Sequence, residues 1–159
     1  MDLFFKVRQY VLDELDSMVA AGELPSNLDT AGVTVEPPRD PLHGDMATNA
    51  AMVLAKAEKK NPREIAEKLA KRLASLDVVD SSEVAGPGFL NLRINVKVWQ
   101  SIFSKVLVLG NSYGRTGLGN NSRVNVEFVS ANPTGPLHVG HTRGAVFGDA
   151  LSRLLSFAG

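Results

Sequence analysis

The feature that most restricts the fold is a change of backbone pattern near the end of the chain. Residues 124–129 are rich in apolar and β-branched side chains, which predicts a buried strand. The next stretch, residues 132–136, contains two prolines and a glycine, which cannot continue a strand ladder. Apolar residues then recur at helical spacing. The sequence therefore predicts a strand, a rigid loop and a helix whose first turn carries His138, Gly140 and His141.

The start of that helix suits a phosphate group. A helix N-terminus leaves N–H groups unpaired and carries the positive end of the helix dipole. Gly140 has no Cβ, so a nucleotide can approach its backbone closely. His138 and His141, three residues apart, can face the same way and donate hydrogen bonds to phosphate oxygens as negative charge develops. The simpler alternative is one capping histidine and one solvated histidine.

Residues 126–144, VEFVSANPTGPLHVGHTRG, closely resemble the segment of arginyl-tRNA synthetases that carries their HIGH signature, here His-Val-Gly-His. Residues 43–49 and 86–91 are similar to segments of that family's N-terminal domain, so the resemblance covers the whole chain. These proteins are class I aminoacyl-tRNA synthetases with a Rossmann-type catalytic domain. The resemblance implies an arginine–tRNA ligase, which activates L-arginine with ATP and transfers it to its tRNA.

The resemblance also assigns roles to single residues. It implies that Glu127 pairs with the guanidinium of arginine, a planar donor fork for which a carboxylate is the natural acceptor. Ser130 and Asn132 would hold the polar groups of the amino acid. For ATP, the two histidines of the motif would stabilise the α-phosphate during attack by the arginine carboxylate, and the glycine would admit the adenosine. The implied catalytic and ATP-binding residues are His138, Gly140 and His141.

For the tRNA, the resemblance implies that Phe89 and Asn91 contact a base of the D-loop, by stacking and hydrogen bonding. Considered from the residues alone, Phe89 is better explained as part of the core. His43 is likewise expected to bond a loop carbonyl rather than RNA.

Charge predicts a second tRNA contact. The chain as a whole is neutral, with 17 basic and 17 acidic residues, but residues 56–72 hold seven basic side chains against three acidic ones. Such a stretch can contact phosphates, although a merely solvated face is the alternative. The hypothesis assigns the contact to Lys68, Lys71 and Arg72.

Residues 1–109 predict a complete α+β domain, with helices on a small, mostly antiparallel sheet. The predicted helices are residues 2–21, 46–57 with Asp45 as its N-cap, one starting after Asn61, and 96–109; residues 78–85 and 89–95 form a hairpin. A Gly- and Asn-rich linker follows at 110–122. Residues 123–159 then supply the first strand and helix of an incomplete Rossmann-type catalytic domain.

A Rossmann site needs at least a βαβ unit. The chain is therefore expected to be an N-terminal fragment of a longer synthetase and catalytically inactive by itself. The full-length enzyme is expected to be a monomer that uses ATP with Mg²⁺, and no tightly bound cofactor is expected in the fragment. An unpaired apolar strand at 124–129 could let the fragment self-associate.

Other classes are less compatible with the sequence. The absence of cysteine excludes disulfides and thiolate metal sites, and no apolar run is long enough to span a membrane. We therefore expect a cytoplasmic protein without a metal site. Two alternatives remain: a stand-alone RNA-binding module, and a fragment of a nucleotidylyltransferase with an HxGH motif. A complete enzyme of the second kind is excluded because its motif would lie near the start of the sheet.

Overall fold

A computed structural model describes residues 2–58, 61–132 and 134–159. Lys59 and Lys60 of the predicted basic stretch, and Pro133 of the predicted loop, lie outside the described residues. The chain forms two compact units, Met1–Leu107 and Val108–Gly159.

The first unit combines helices with an antiparallel sheet, which confirms the predicted α+β class. The strands lie in the order β1-β2-β4-β3, and each neighbouring pair is antiparallel. The elements in chain order are α1 (Leu3–Ala20), β1 (Val35–Glu36), β2 (Met46–Thr48), α2 (Ala50–Glu58), α3 (Pro62–Leu73), β3 (Val79–Ala85), β4 (Phe89–Ile94) and α4 (Val96–Leu109).

One face of the sheet closes the core of this unit. Successive side chains of a strand point to opposite faces, so Leu90, Leu92 and Ile94 of β4 share one face, and all three are buried. Helix α3 packs on β3 and β4, while α1 packs on α3 and β1. Full burial of each leucine stabilises the fold by about 1.5–3 kcal/mol. The opposite face, which carries Phe89 and Asn91, is left for other contacts.

Local signals place the ends of the long helices where the sequence predicts them. Helix α1 ends at Ala20, and Gly22 follows its C-cap with a φ of 72°, which is easily reached only by glycine. The N–H of Gly22 donates to the carbonyl of Val19 and that of Glu23 to Met18, the Schellman pattern of helix termination. At the start of α3, Asn61 accepts from the N–H of Arg63 at 3.0 Å, as predicted for its N-cap.

The helix predicted over residues 46–57 is wrong in its first turn. Met46 and Thr48 belong to β2, which pairs with β1 on one side and β4 on the other. Asp45 does not cap a helix: its Oδ2 accepts from the N–H of Ile94 at 2.7 Å. Helix α2 begins instead at Ala50, whose N–H donates to the hydroxyl of Thr48. The ladder with β4 overrides the local preference of this Ala-rich segment for helix.

In the second unit the helix is confirmed and the strand is not. Helix α5 spans Val139–Ala158, but residues 123–131 form no strand. A strand requires a hydrogen-bonded neighbour, and no described segment pairs with this one. Val124 is 61% exposed and Phe128 39% exposed, so the expected burial is also absent.

The segment predicted as a linker, residues 110–122, holds the end of α5. The N–H groups of Thr116, Gly119 and Asn121 donate to the carbonyls of residues 157, 158 and 159 at 3.2, 3.0 and 2.9 Å. These carbonyls have no partner within a helix, so the loop satisfies them.

Candidate functional site

Two histidines cap the N-terminus of α5 reciprocally. Nδ1 of His138, the N-cap residue, accepts from the N–H of Gly140 at 3.1 Å. Nδ1 of His141 accepts from the N–H of His138, also at 3.1 Å. The ring centroids lie 3.8 Å apart with an angle of 32° between the planes. The structure thus brings the predicted ATP-binding residues together in one turn.

This arrangement determines which ring nitrogen of each histidine can donate. A neutral imidazole has one donor and one acceptor nitrogen, and Nδ1 is the acceptor in both rings. The proton of each neutral ring is therefore on Nε2. The alternative of one capping and one solvated histidine is wrong, because both rings cap the helix and each keeps an Nε2–H donor.

The segment before α5 brings two of the predicted arginine-binding residues together. The hydroxyl of Ser130 donates to Oε1 of Glu127, and both side chains are exposed. Between them, Val129 has a φ of 58°, a left-handed conformation that a β-branched residue rarely adopts. Asn132 is also exposed, and its side chain makes no hydrogen bond to a described residue.

Phe128 anchors this segment to α5. Gly148 is buried in the helix, and a Cβ built on it would overlap the Cβ and ring of Phe128. Only glycine leaves room for the ring at this position. The contact determines where Glu127 and Ser130, the neighbours of Phe128 and Val129, lie relative to the helix.

A second candidate site lies in the first unit, on the sheet face opposite the core. It is a cavity of about 810 Å³. Asn91 is only 9% exposed, and its side-chain amide makes no hydrogen bond to a described residue. Phe89, 40% exposed, lines the same cavity, so the expectation that it belongs to the core is wrong. The cavity therefore presents an aromatic ring beside the amide of Asn91, whose donors and acceptor are not used by any described residue.

Three basic residues that the sequence did not single out for this site also line it. Arg39 and His43 come from the loop after β1, and Lys56 comes from α2. The expected bond from the His43 ring to a loop carbonyl is not formed with any described residue. The sequence signals for these residues were the Pro-rich segment 37–41 next to His43 and the basic stretch that begins at Lys56. Neither reveals that loop and helix meet.

β4 holds the loop that carries His43. The guanidinium of Arg93 donates to the carbonyl of Leu42 at 3.0 Å. Gly44 has a φ of 109°, and a Cβ on it would lie 2.7 Å from the carbonyl oxygen of Leu92. Close approach of loop and strand therefore depends on glycine at this position.

The predicted basic face of α3 is largely neutralised. Arg72 contacts Glu23 at 2.7 Å and Glu14 at 3.7 Å, and Lys68 lies 3.8 Å from Glu23. Lys71 is exposed and forms no ion pair with a described residue. Neither Lys68, Lys71 nor Arg72 lines the cavity with Phe89 and Asn91. The structure therefore does not bring the two predicted tRNA contacts together.

Known families match both parts of the chain. The family described as Arginyl tRNA synthetase N terminal domain matches residues 6–94, more than half of the chain. The chain belongs to the arginyl-tRNA synthetase family. A second family, described as tRNA synthetases class I (R), catalytic domain, matches residues 102–159. The family resemblance predicted from the sequence is confirmed, and the nucleotidylyltransferase alternative is wrong.

Individual relatives agree. The arginine–tRNA ligases of Ruegeria sp. (strain TM1040) and Cereibacter sphaeroides (strain ATCC 17025 / ATH 2.4.3) are each 64% identical over 159 residues, which are 100% of this chain and 27% of theirs. The chain thus spans about a quarter of the length of these relatives. None of the helices in the described part of the chain is long and apolar enough to cross a membrane.

Two solved structures share the fold. Arginyl-tRNA synthetase from Plasmodium falciparum matches with a TM-score of 0.72 at 17% identity, over 98% of this chain and 28% of its own. Thermus thermophilus arginyl-tRNA synthetase matches with a TM-score of 0.53 at 25% identity, over 99% and 24%.

The ion pairs of Arg72 with Glu23 and Glu14 predict that the stability of the fold depends on pH. The hydrogen bond from Arg72 is the largest cause of the lowered pKa of Glu23, which burial opposes and the charges of Arg72 and Lys68 reinforce. A carboxyl with a lowered folded-state pKa stabilises the fold above its unfolded pKa, and the effect is lost as pH falls through the folded value. We expect Glu23→Gln to lower the free energy of unfolding at neutral pH, with a difference that shrinks below the ordinary value of about 4.5.

Urea unfolding of wild type and variant from pH 7 to pH 3 measures this difference. Glu83→Gln is the control, because Glu83 is exposed and forms no ion pair with a described residue. A destabilisation by Glu23→Gln that stays constant down to pH 3 would show that the ion pair is not its cause.

The Phe128 contact predicts opposite effects for two glycines of one helix. Gly148→Ala forces Phe128 to move, and overpacking of this kind costs about 1–3 kcal/mol. Gly144→Ala meets nothing within 4 Å, so it should stabilise α5 by up to about 1 kcal/mol through helix propensity. Hydrogen exchange of the α5 amides measures both changes. If Gly148→Ala is still as destabilising when combined with Phe128→Gly, which removes the Cβ as well as the ring, Phe128 is not the obstacle.

Proposed function

We propose that the chain is part of an arginine–tRNA ligase, which joins arginine to its tRNA at the expense of ATP. The observation that carries the proposal is the pair of histidines at the start of α5, with Glu127 and Ser130 just before them. The relatives named arginine–tRNA ligase support it. In this reaction an oxygen of the arginine carboxylate attacks the α-phosphorus of ATP, and pyrophosphate leaves with the electrons of the broken P–O bond.

The reciprocal capping of α5 by His138 and His141, the double cap, suits this step because it orients the two Nε2–H donors in advance. Negative charge builds on the α-phosphate oxygens during attack, and each Nε2–H can donate to them without first reorganising. The N–H of Gly140 is already engaged by His138, so its role in ATP binding is to leave room for the adenosine. The rings, not the backbone of that glycine, supply the hydrogen bonds.

Mg²⁺ accompanies ATP in reactions of this kind. The described residues contain no group of three or more His, Cys, Asp or Glu side chains that could hold a metal ion. We therefore assign no protein ligands to Mg²⁺ and derive no step through it.

The arginine side chain is assigned to Glu127. The hydroxyl of Ser130 donates to Oε1 of this carboxylate, which orients the group and leaves further acceptor positions free for a guanidinium. Asn132 would hold the amino or carboxyl group of the amino acid. Both assignments extend the resemblance to this chain.

The tRNA is assigned to the cavity of the first unit. A base that has left its helix can stack on Phe89 and pair with the unused amide of Asn91. Of the three α3 residues, Lys71 keeps its charge unpaired among the described residues, whereas Lys68 and Arg72 must give up carboxylates to bind phosphate. We therefore place the α3 contact with tRNA mainly at Lys71.

The stand-alone RNA-binding module remains a second candidate for residues 1–107, because the cavity lies within that unit. We also propose that the full-length enzyme is a monomer that acts in the cytoplasm. The shorter chain is proposed to self-associate through residues 124–129.

One prediction of the proposed function concerns Phe89. We expect Phe89→Leu to leave the fold intact, because the side chain is partly exposed and stays apolar. The variant should bind arginine tRNA more weakly by about 1–3 kcal/mol, the usual contribution of one base stacked on an aromatic ring. Fluorescence titration of the 159-residue chain with the tRNA measures this. Phe5→Leu, which changes an exposed phenylalanine of α1 outside the cavity, is the control, and equal affinities of the two variants would contradict the proposal.

The second prediction concerns His141, in a synthetase of the relatives' full length that carries this sequence. In His141→Asn the side-chain oxygen can replace Nδ1 as the acceptor for His138, but the Nε2–H donor is lost. We expect α5 to stay capped and the rate of arginine-dependent pyrophosphate exchange to fall about 10²–10³-fold. Arginine binding should change little. An unchanged rate, or a rate that falls only as far as the helix unfolds, would assign His141 to capping alone.

A further inference from the structure

The backbone of Val129 has a conformation that its side chain disfavours. Three non-glycine residues in the described part of the chain have a positive φ: Asn120, Asn121 and Val129. Asparagine adopts the left-handed region fairly often, whereas a β-branched residue is an outlier there. Residues in such conformations cluster at functional sites, where the surrounding contacts maintain them. Val129 lies between Glu127 and Ser130, the residues assigned to arginine.

The turn at Val129 allows Glu127 and Ser130 to meet. In a regular strand, side chains three residues apart point to opposite faces, so these two would not touch. Here the φ of Val129 is 58°, and the N–H of Ala131 donates to the carbonyl of Val129 at 2.8 Å. The hydroxyl of Ser130 thereby reaches Oε1 of Glu127. The strand predicted over residues 124–129 would separate the hydroxyl from the carboxylate.

Two contacts hold the turn from either side. Before it, the ring of Phe128 lies against Gly148 of α5. After it, the hydrogen bond from Ala131 closes the chain on itself. Neither contact involves the side chain of Val129, which is 40% exposed. The contribution of position 129 therefore depends mainly on its φ and not on the packing of its side chain.

This turn affects how a guanidinium would meet Glu127. A carboxylate can accept two parallel hydrogen bonds from a guanidinium, but only in one relative orientation. Glu127 is exposed, and an exposed glutamate loses rotamer freedom when it binds a ligand. The hydrogen bond from Ser130 restricts the carboxylate before arginine arrives, so less freedom is lost on binding.

We propose that Val129 is a positioning residue for arginine. Its left-handed backbone places the hydroxyl of Ser130 on the carboxylate of Glu127, and the hydroxyl orients that carboxylate for the guanidinium. The inference rests on the proposed function, in which Glu127 binds this group. It adds a requirement on the backbone at position 129, which must adopt a positive φ.

A pair of substitutions at position 129 with opposite backbone preferences tests the requirement, in a synthetase of the relatives' full length that carries this sequence. Val129→Pro fixes φ at about −65° and so removes the turn. It should raise the KM for arginine in pyrophosphate exchange at least about tenfold, the effect of one hydrogen bond to a charged group. The KM for ATP and kcat should change little. Val129→Gly, which reaches positive φ without strain, should keep the KM for arginine close to that of the wild type.

A double-mutant cycle with Ser130→Ala distinguishes positioning from general disruption. Ser130→Ala should also raise the KM for arginine, and adding Val129→Pro should then have little further effect, because both changes remove the same contact. An effect of Val129→Pro that is as large in the Ser130→Ala background would overturn the inference. A KM raised as much by Val129→Gly as by Val129→Pro would also overturn it, because the valine side chain would then be the cause.

The turn itself can be observed in the 159-residue chain by NMR. A positive φ shortens the distance between the amide and α hydrogens of the same residue, so Val129 should give a strong nuclear Overhauser effect between them. A weak one would overturn the turn. If the longer wild-type enzyme catalyses arginine-dependent exchange and Val129→Pro leaves the KM for arginine unchanged, the proposed function stands and the role of Val129 is wrong. If the wild-type enzyme shows no such exchange, both are wrong.

Discussion

Strand β4 pairs with β2 on one side and with β3 on the other, and its side chains alternate between the two faces of the sheet. Leu90, Leu92 and Ile94 complete the core, while Phe89 and Asn91 form the floor of the cavity. A shift of register by one residue would exchange these two sets. Burial of the leucines therefore holds the proposed RNA site in place, since the core cannot form without presenting Phe89 and Asn91 to the other side.

The loop that completes the cavity depends on the same strand. Asp45 accepts from the backbone of Ile94, and Arg93 donates to the carbonyl of Leu42. The turn before Phe89 lies close to α3: a Cβ on Gly88 would come within 2.8 Å of the ring of Pro62, the first residue of that helix. The contacts of β4 and its turn therefore position both segments that border the cavity.

In the second unit, stability and proposed chemistry involve the same atoms. Each histidine of the double cap gives Nδ1 to the helix and keeps an Nε2–H donor. Capping by such side chains stabilises a helix by about 0.5–2 kcal/mol, and here it also fixes the tautomer. Loss of either ring would therefore affect structure and function together, so a substitution that preserves the acceptor is needed to separate them.

The sequence by itself determined those features that depend on near neighbours in the chain. The C-terminus of α1, the N-terminus of α3, the hairpin of β3 and β4, and the helix start at His138 all follow from turn residues, caps and periodicity within a few positions. The family follows from the motif 126–144 and its companion segments.

Only the tertiary structure decided the rest, because these features depend on residues far apart in the chain. Met46 to Thr48 form a strand since β4 offers a partner, and residues 124–129 do not because no described segment does. Arg72 looks free for phosphate in the sequence, yet Glu23, 49 residues away, already holds it. Arg39 and Lys56 become part of one site only when the loop after β1 and helix α2 meet above β4. The pairing of strands, the neutralisation of Arg72 and the formation of the cavity all depend on contacts between distant parts of the chain. Local sequence patterns carry no information about such contacts.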